Sequence, residues 1–69
     1  MTLTDYKQAT RKTWARIAAE IAEHAKANDP DKMVQFYEGR LYAIIGGKRP
    51  HPWEVKALYD YLGEGSTFD

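Results

Sequence analysis

The chain contains no cysteine, so disulfides are excluded as a source of stability. Histidine is scarce: His24 and His51 are the only two, far apart and in no metal-ligand spacing. Ser66 is the only serine, with no histidine in sequence context for a triad. Gly46-Gly47-Lys48 lacks the spacing, and the following Ser or Thr, of a phosphate loop. The neighbouring carboxylates Asp29 and Asp31 are accounted for by helix capping. No constellation joins a nucleophile to a base. No catalytic activity is therefore expected, and no catalytic, cofactor-binding or metal-ligating residue is assigned. No apolar run approaches the ~20 residues that span a bilayer, and the start of the chain lacks the basic-then-apolar pattern of a signal peptide. The expectation is a cytoplasmic protein that does not enter the membrane.

Charge of one sign is also missing. Ten basic and ten acidic residues give a formal net charge of +0, which argues against an all-over nucleic-acid binder. The charges are unevenly spread. Residues 1–16 carry Lys7, Arg11, Lys12 and Arg16 against Asp5 alone, whereas residues 54–69 carry Glu54, Asp60, Glu64 and Asp69 against Lys56 alone. Such a dipolar chain suits oriented pairing with another protein or with its own copy; two solvated helix faces are the plainer alternative.

A single domain of 69 residues buries only ~60% of the surface that its unfolded chain exposes. Scaffolds this small usually add disulfides, a metal or a partner subunit. With the first two not indicated, a homodimer is expected.

What is present points to helices. From about Thr4 to Ala27, Trp14, Ile17, Ala18, Ile21, Ala22 and Ala25 recur at three- and four-residue steps and form one stripe. Lys12, Arg16, Glu20 and Glu23 lie opposite. Arg16–Glu20 and Glu23–Lys26 stand at helical pairing distances, and Thr4 is placed to cap. The boundary Asn28–Lys32 carries Asp29 and Pro30, a cap and first-position pair for a second helix over 30–45. Met33, Val34, Tyr37, Leu41, Ile44 and Ile45 share one face of it, and Gly46-Gly47 is a natural stop. The rival for residues 34–45 is a hairpin turning at Glu38-Gly39. It fails strict alternation at Phe36-Tyr37 and Ile44-Ile45, so one helix is favoured. Gly39 then costs about 1 kcal/mol relative to alanine, which a closely packed neighbouring backbone would explain. Pro50 and Pro52 divide this helix from a third over 52–62, with His51 as its N-cap and Glu54 in its first turn. Gly63 and Gly65 end that helix, and 63–69 reads as a loose tail. The fold expected is all-α: a small three-helix domain.

These helices carry more apolar groups than one core needs. In the third, Val55, Leu58, Tyr59 and Leu62 make one stripe, and Trp53, Ala57 and Tyr61 make another on roughly the opposite side. In the second, Phe36, Tyr42 and Ala43 fall off the core face. Tyr59 and Trp14 are assigned to the core. Trp53, Tyr61 and Phe36 are assigned to an interface, since aromatics commonly anchor protein contacts. Glu54 and Asp60 share a helix with Trp53 and Tyr61 and would rim that patch with carboxylates, a combination suited to a basic target.

Two resemblances refine this. The segment IIGGKRPHPWEVKALYDYLG resembles the last part of phage-repressor-like helix-turn-helix domains, where a Gly-Lys-Arg-Pro-like turn precedes a final helix ending in Leu-Gly. It implies a helix-turn-helix-like C-terminal half and a phosphate held by Lys48, Arg49 and the helix N-terminus. It departs upstream, where the short Gly-containing turn is replaced by NDPDK. No helix is rich in the Arg, Asn or Gln that read base edges, so nucleic acid is the alternative partner. The whole chain, in length and in text beginning MTLTDYKQATRKTWARIAAEIAEHAKANDPDK, is similar to the small early host-takeover proteins of Mu-like Pseudomonas phages, the quorum-sensing anti-activators. That resemblance implies an inhibitor, acting in the bacterial host cell, that binds a LuxR-type quorum-sensing transcription activator and the type IV pilus assembly ATPase. It implies no catalytic residues.

Overall fold

The computed structural model describes residues 1–69 and contains four helices: α1 (Leu3–Thr10), α2 (Trp14–Asn28), α3 (Glu38–Ile45) and α4 (Pro52–Leu62). The all-α class holds, but the helix count and boundaries differ from those read in the sequence. No helix is long and apolar enough to cross a membrane.

The long first helix is two helices. Thr2, not Thr4, caps α1, its Oγ1 accepting from the Asp5 amide at 3.1 Å. The helix ends at Arg11, which takes the left-handed conformation at φ 59°. Thr13 then caps α2 by accepting from the Arg16 amide at 3.1 Å. The side chains explain the break. Thr10 bonds back to the Tyr6 carbonyl at 2.8 Å, and Thr13 offers a ready cap to a new helix. The kink also brings Lys12 beneath Tyr6 and against Glu20 on α2.

The second expected helix is half strap, half helix. Asp29 closes α2, its amide donating to Ala25 O at 3.2 Å, so it does not open a new helix at Pro30. Lys32 N–H turns back to Asp29 O, and the chain runs without regular structure to Tyr37, the N-cap of α3. A helix over 30–37 would present Met33 and Tyr37 to the core; instead both are exposed, Phe36 is buried and Val34 is partly buried against the core. No hairpin forms at Glu38-Gly39, which opens α3. Gly39 has no close neighbour either: a Cβ built on it would meet nothing within 4 Å.

Helix α4 begins at Pro52 and ends at Gly63 as read, with Gly63 at φ 110°. The tail is not loose. The amides of Leu3 and Thr4 donate to the carbonyls of Thr67 and Asp69 at 3.0 and 2.6 Å, and Thr67 N–H donates to Met1 O at 3.2 Å. The start of α1 thus finds in the tail acceptors for amides that no helix can satisfy internally. Phe68 enters the core behind this pairing.

Helix α2 is the central element and packs against both α3 and α4. Its predicted stripe is the core: Ile17, Ala18, Ile21 and Ala25 are buried against Leu3, Phe36, Leu41, Ile44, Ala57, Leu58 and Phe68.

Candidate functional site

The residues assigned to an interface are used mostly inside the chain. Phe36 is 3% exposed, with its ring 6.2 Å from Trp53 and 6.4 Å from Phe68. Trp53 is half-buried: the Lys32 ammonium sits 4.5 Å above its ring and His51 stacks beside it. The helical stripe Trp53–Ala57–Tyr61 therefore faces inward, and Tyr59, assigned to the core, is partly exposed. The reason is that this side of α4 is covered by α2, by Tyr6 of α1 and by the 29–37 strap.

Glu54 is the largest departure from the sequence reading. Instead of rimming a surface it is 1% exposed. Arg40 grips it with two hydrogen bonds, Nε to Oε2 and Nη2 to Oε1, each 2.7 Å. The His51 amide donates to Oε1 at 2.6 Å, which caps α4. Burial pushes the Glu54 carboxyl up, but the Arg40 fork and the His51 amide outweigh it and hold it below its ordinary value. Arg40 is raised in turn by its bonds to Glu54.

Tyr61 joins a second closed network. Its hydroxyl donates to Glu20 Oε1 at 2.5 Å and lies 2.9 Å from the Tyr6 hydroxyl. Lys12 Nζ donates to Tyr6 Oη at 2.8 Å and to Glu20 Oε1 at 2.7 Å. Residues from α1, α2, α4 and the α1–α2 link are thereby tied at one point. The bond from Lys12, then that from Tyr61, brings the Glu20 carboxyl down to about 2. Burial first, and the Glu20 carboxylate second, push the Tyr61 hydroxyl up, so it remains a neutral donor. Asp60 alone of the expected rim faces solvent; it accepts from Asn28 Nδ2 at 2.6 Å and lies 3.8 Å from Lys56 Nζ.

What remains exposed is a different set of apolar groups. Tyr37 is 68% exposed, Tyr42 50% and Ile45 37%. Tyr42 and Ile45 are three apart on α3, hence on one face. Tyr42 Oη donates to Glu38 Oε2 at 3.3 Å, and Glu38 with Tyr37 lines a shallow hollow of about 190 Å³ against Ala15, Ala18 and Ala19 of α2. The outward Ala15 and Ala19 of α2 thus adjoin Tyr37 and Glu38, and the Glu38–Tyr42 hydrogen bond connects this hollow to the exposed face of α3. Tyr42 was legible as off the core face; Tyr37 was not, because its position looked apolar-inward under a helix that does not extend that far.

Lys48 and Arg49, the alternative anion ligands, are exposed and line a separate groove of about 440 Å³ between the α3–α4 link, α4 and the tail. The N-terminus of α4 is not free beside them: the carboxylate of Glu54 already sits on it. The link itself, Gly46–His51, is six residues long, against the ~3–4 residues of a helix-turn-helix.

Comparison with protein-family models, with curated protein sequences and with solved structures finds no match to this chain.

Proposed function

We propose that the chain is a non-catalytic inhibitor that works by stoichiometric protein binding, and that its targets are a host LuxR-type quorum-sensing activator and the type IV pilus assembly ATPase. The class of target comes from the resemblance to phage anti-activators. The binding face we propose is Tyr37, Tyr42 and Ile45, with Ala15 and Ala19 beside Tyr37 and Glu38 between them; their exposure supports it. The observation that carries this reading is that these large apolar side chains stay in water although the core beneath them is closed. Apolar patches of that kind on a small domain mark interfaces, tyrosine is among the residues that anchor them, and an adjoining carboxylate suits a basic target surface. A second copy competes for the same face, so the free chain forms a homodimer through it and releases the dimer on meeting its target.

The test is a pull-down of purified LuxR-type regulator by the wild-type chain, Tyr42→Ser and Tyr37→Ser, with light scattering of each free chain. Loss of capture and of dimer in the variants, with unchanged helicity, supports the reading. Full capture by both sinks it.

Duplex binding through Lys48 and Arg49 is the second reading, favoured by their exposure and lack of ion-pair partners. It requires affinity that falls steeply with salt; a gel-shift with no retardation at low salt removes it.

A further inference from the structure

The groove that holds Lys48 and Arg49 lies apart from the aromatic face of α3 and has the makings of a site. Its floor is apolar, provided by Leu58 of α4 and Phe68 of the tail, both buried from the rest of the solvent. Its volume of about 440 Å³ falls within the ~300–1,000 Å³ of ordinary ligand clefts. One wall carries the two cations, and neither forms an ion pair within the chain. The backbone that presents them is fixed: Lys48 N–H donates to Ala43 O at 2.9 Å, and Arg49 O accepts from Arg40 Nη2 at 3.3 Å. Tyr59 supplies a partly exposed ring. Asp69 is the one acidic residue in the lining.

Ser66 is the independent observation. It is 5% exposed and lines this groove. Its hydroxyl has no partner among the side-chain hydrogen bonds, yet no side-chain polar atom of the chain is both sealed from solvent and unpaired. The Ser66 hydroxyl therefore opens into the groove, where it can bond only to water or to an occupant.

We infer that the groove binds an extended segment of a partner protein in which an aspartate or glutamate stands beside a leucine or phenylalanine. The carboxylate meets Lys48 and Arg49, the apolar side chain covers Leu58 and Phe68 beside the Tyr59 ring, and Ser66 bonds the segment's backbone. The groove is open to solvent, which admits a peptide segment, and the unpaired cations select its charge. This site is separate from the Tyr37–Tyr42–Ile45 face and can hold whether or not that face binds as proposed.

Four probes test it by fluorescence anisotropy on the full chain. They are a labelled octapeptide pool with Glu or Asp next to Leu or Phe, the same pool with Gln or Asn in place of the acids, a pool with the acids but Ser for the apolar residues, and a short DNA duplex. The first pool is expected to bind saturably, the second and third about tenfold more weakly. Lys48→Ala/Arg49→Ala should weaken the first pool about tenfold, whereas Lys26→Ala, which removes an exposed cation of α2 outside the groove, should bind it like wild type. Amide resonances of Ser66 and Tyr59 should shift on titration. No saturable binding of the first pool, equal binding of the acid and amide pools, an unaffected double variant, or preference for the duplex would each overturn the proposal.

Discussion

Removing either member of the Arg40–Glu54 pair should reveal how much of this small fold depends on one interior charge. Glu54→Ala deletes two charge-assisted hydrogen bonds and the acceptor for the His51 amide. Breaking a buried pair ordinarily costs about 3–5 kcal/mol, and losing a helix cap about 1 kcal/mol. Arg40 retains 19% side-chain exposure and can turn toward water, so the low end applies to the pair: about 3 kcal/mol at neutral pH, before the cap is counted. Arg40→Met acts differently. It strands a carboxylate that is 1% exposed, and the cost rises to about 4 kcal/mol. The two variants then separate with pH. In the wild type the folded Glu54 carboxyl lies below its ordinary value of 4.5, so its contribution is present above that value and is lost as pH falls through the folded one. In Arg40→Met the guanidinium fork is gone and only the His51 amide still opposes burial, so the folded value rises and the penalty is relieved by protonation as pH falls. The stability gap between Arg40→Met and wild type should therefore narrow on acidification. Urea unfolding followed by far-UV circular dichroism at neutral pH and in mild acid measures this. A Glu54→Ala cost below about 1 kcal/mol, or a pH-independent gap for Arg40→Met, would show that the pair is hydrated and refute the reasoning.

Other consequences are more local. Glu20, held at about 2 against an ordinary 4.5, contributes stability that is complete above pH 4.5 and is lost as pH falls toward 2; Glu20→Gln should flatten the acid limb of a pH-stability curve and cost about 1–2 kcal/mol at neutral pH. Gly39→Ala should stabilise the chain by about 0.4–1 kcal/mol, because the site is helical, has no positive φ and leaves room for a methyl group; a lower urea midpoint would contradict the placement of α3. Phe68→Ala should cost about 3 kcal/mol and speed amide exchange at Leu3 and Thr4, whose acceptors lie in the tail. A fall in stability without faster exchange there would mean the tail is held by something else.

The parts of this fold set by local chemistry were legible in the sequence. The stripe Ile17–Ala18–Ile21–Ala25 follows from period alone, and Pro52 with Gly63 bounds α4 because each residue acts on its own backbone. What escaped was decided by distant partners. The turn at Arg11 that closes α1 sets Lys12 against Tyr6 and Glu20, and those bonds have no sequence signature. Asp29 fits the end of one helix and the start of another equally well; the burial of Phe36 settles it. The tail looked free because Gly63 and Gly65 are flexible, yet it meets the unsatisfied amides of α1, a pairing between the two ends of the chain. The same limit explains the candidate site. Glu54 reads as a helix-start acid on the surface until Arg40 arrives from α3, and Trp53 and Tyr61 read as surplus until the strap and α1 cover them. The surplus of rings survives in another place, on Tyr37 and Tyr42, which nothing in the chain covers.

That exposed face is the centre of the account, and calorimetric titration of a purified LuxR-type activator with the wild-type chain and Tyr42→Ser tests it most directly. The account predicts one-to-one binding by the wild type and a loss of about 2 kcal/mol of affinity in Tyr42→Ser, with helicity unchanged. Equal affinity for both chains would contradict it.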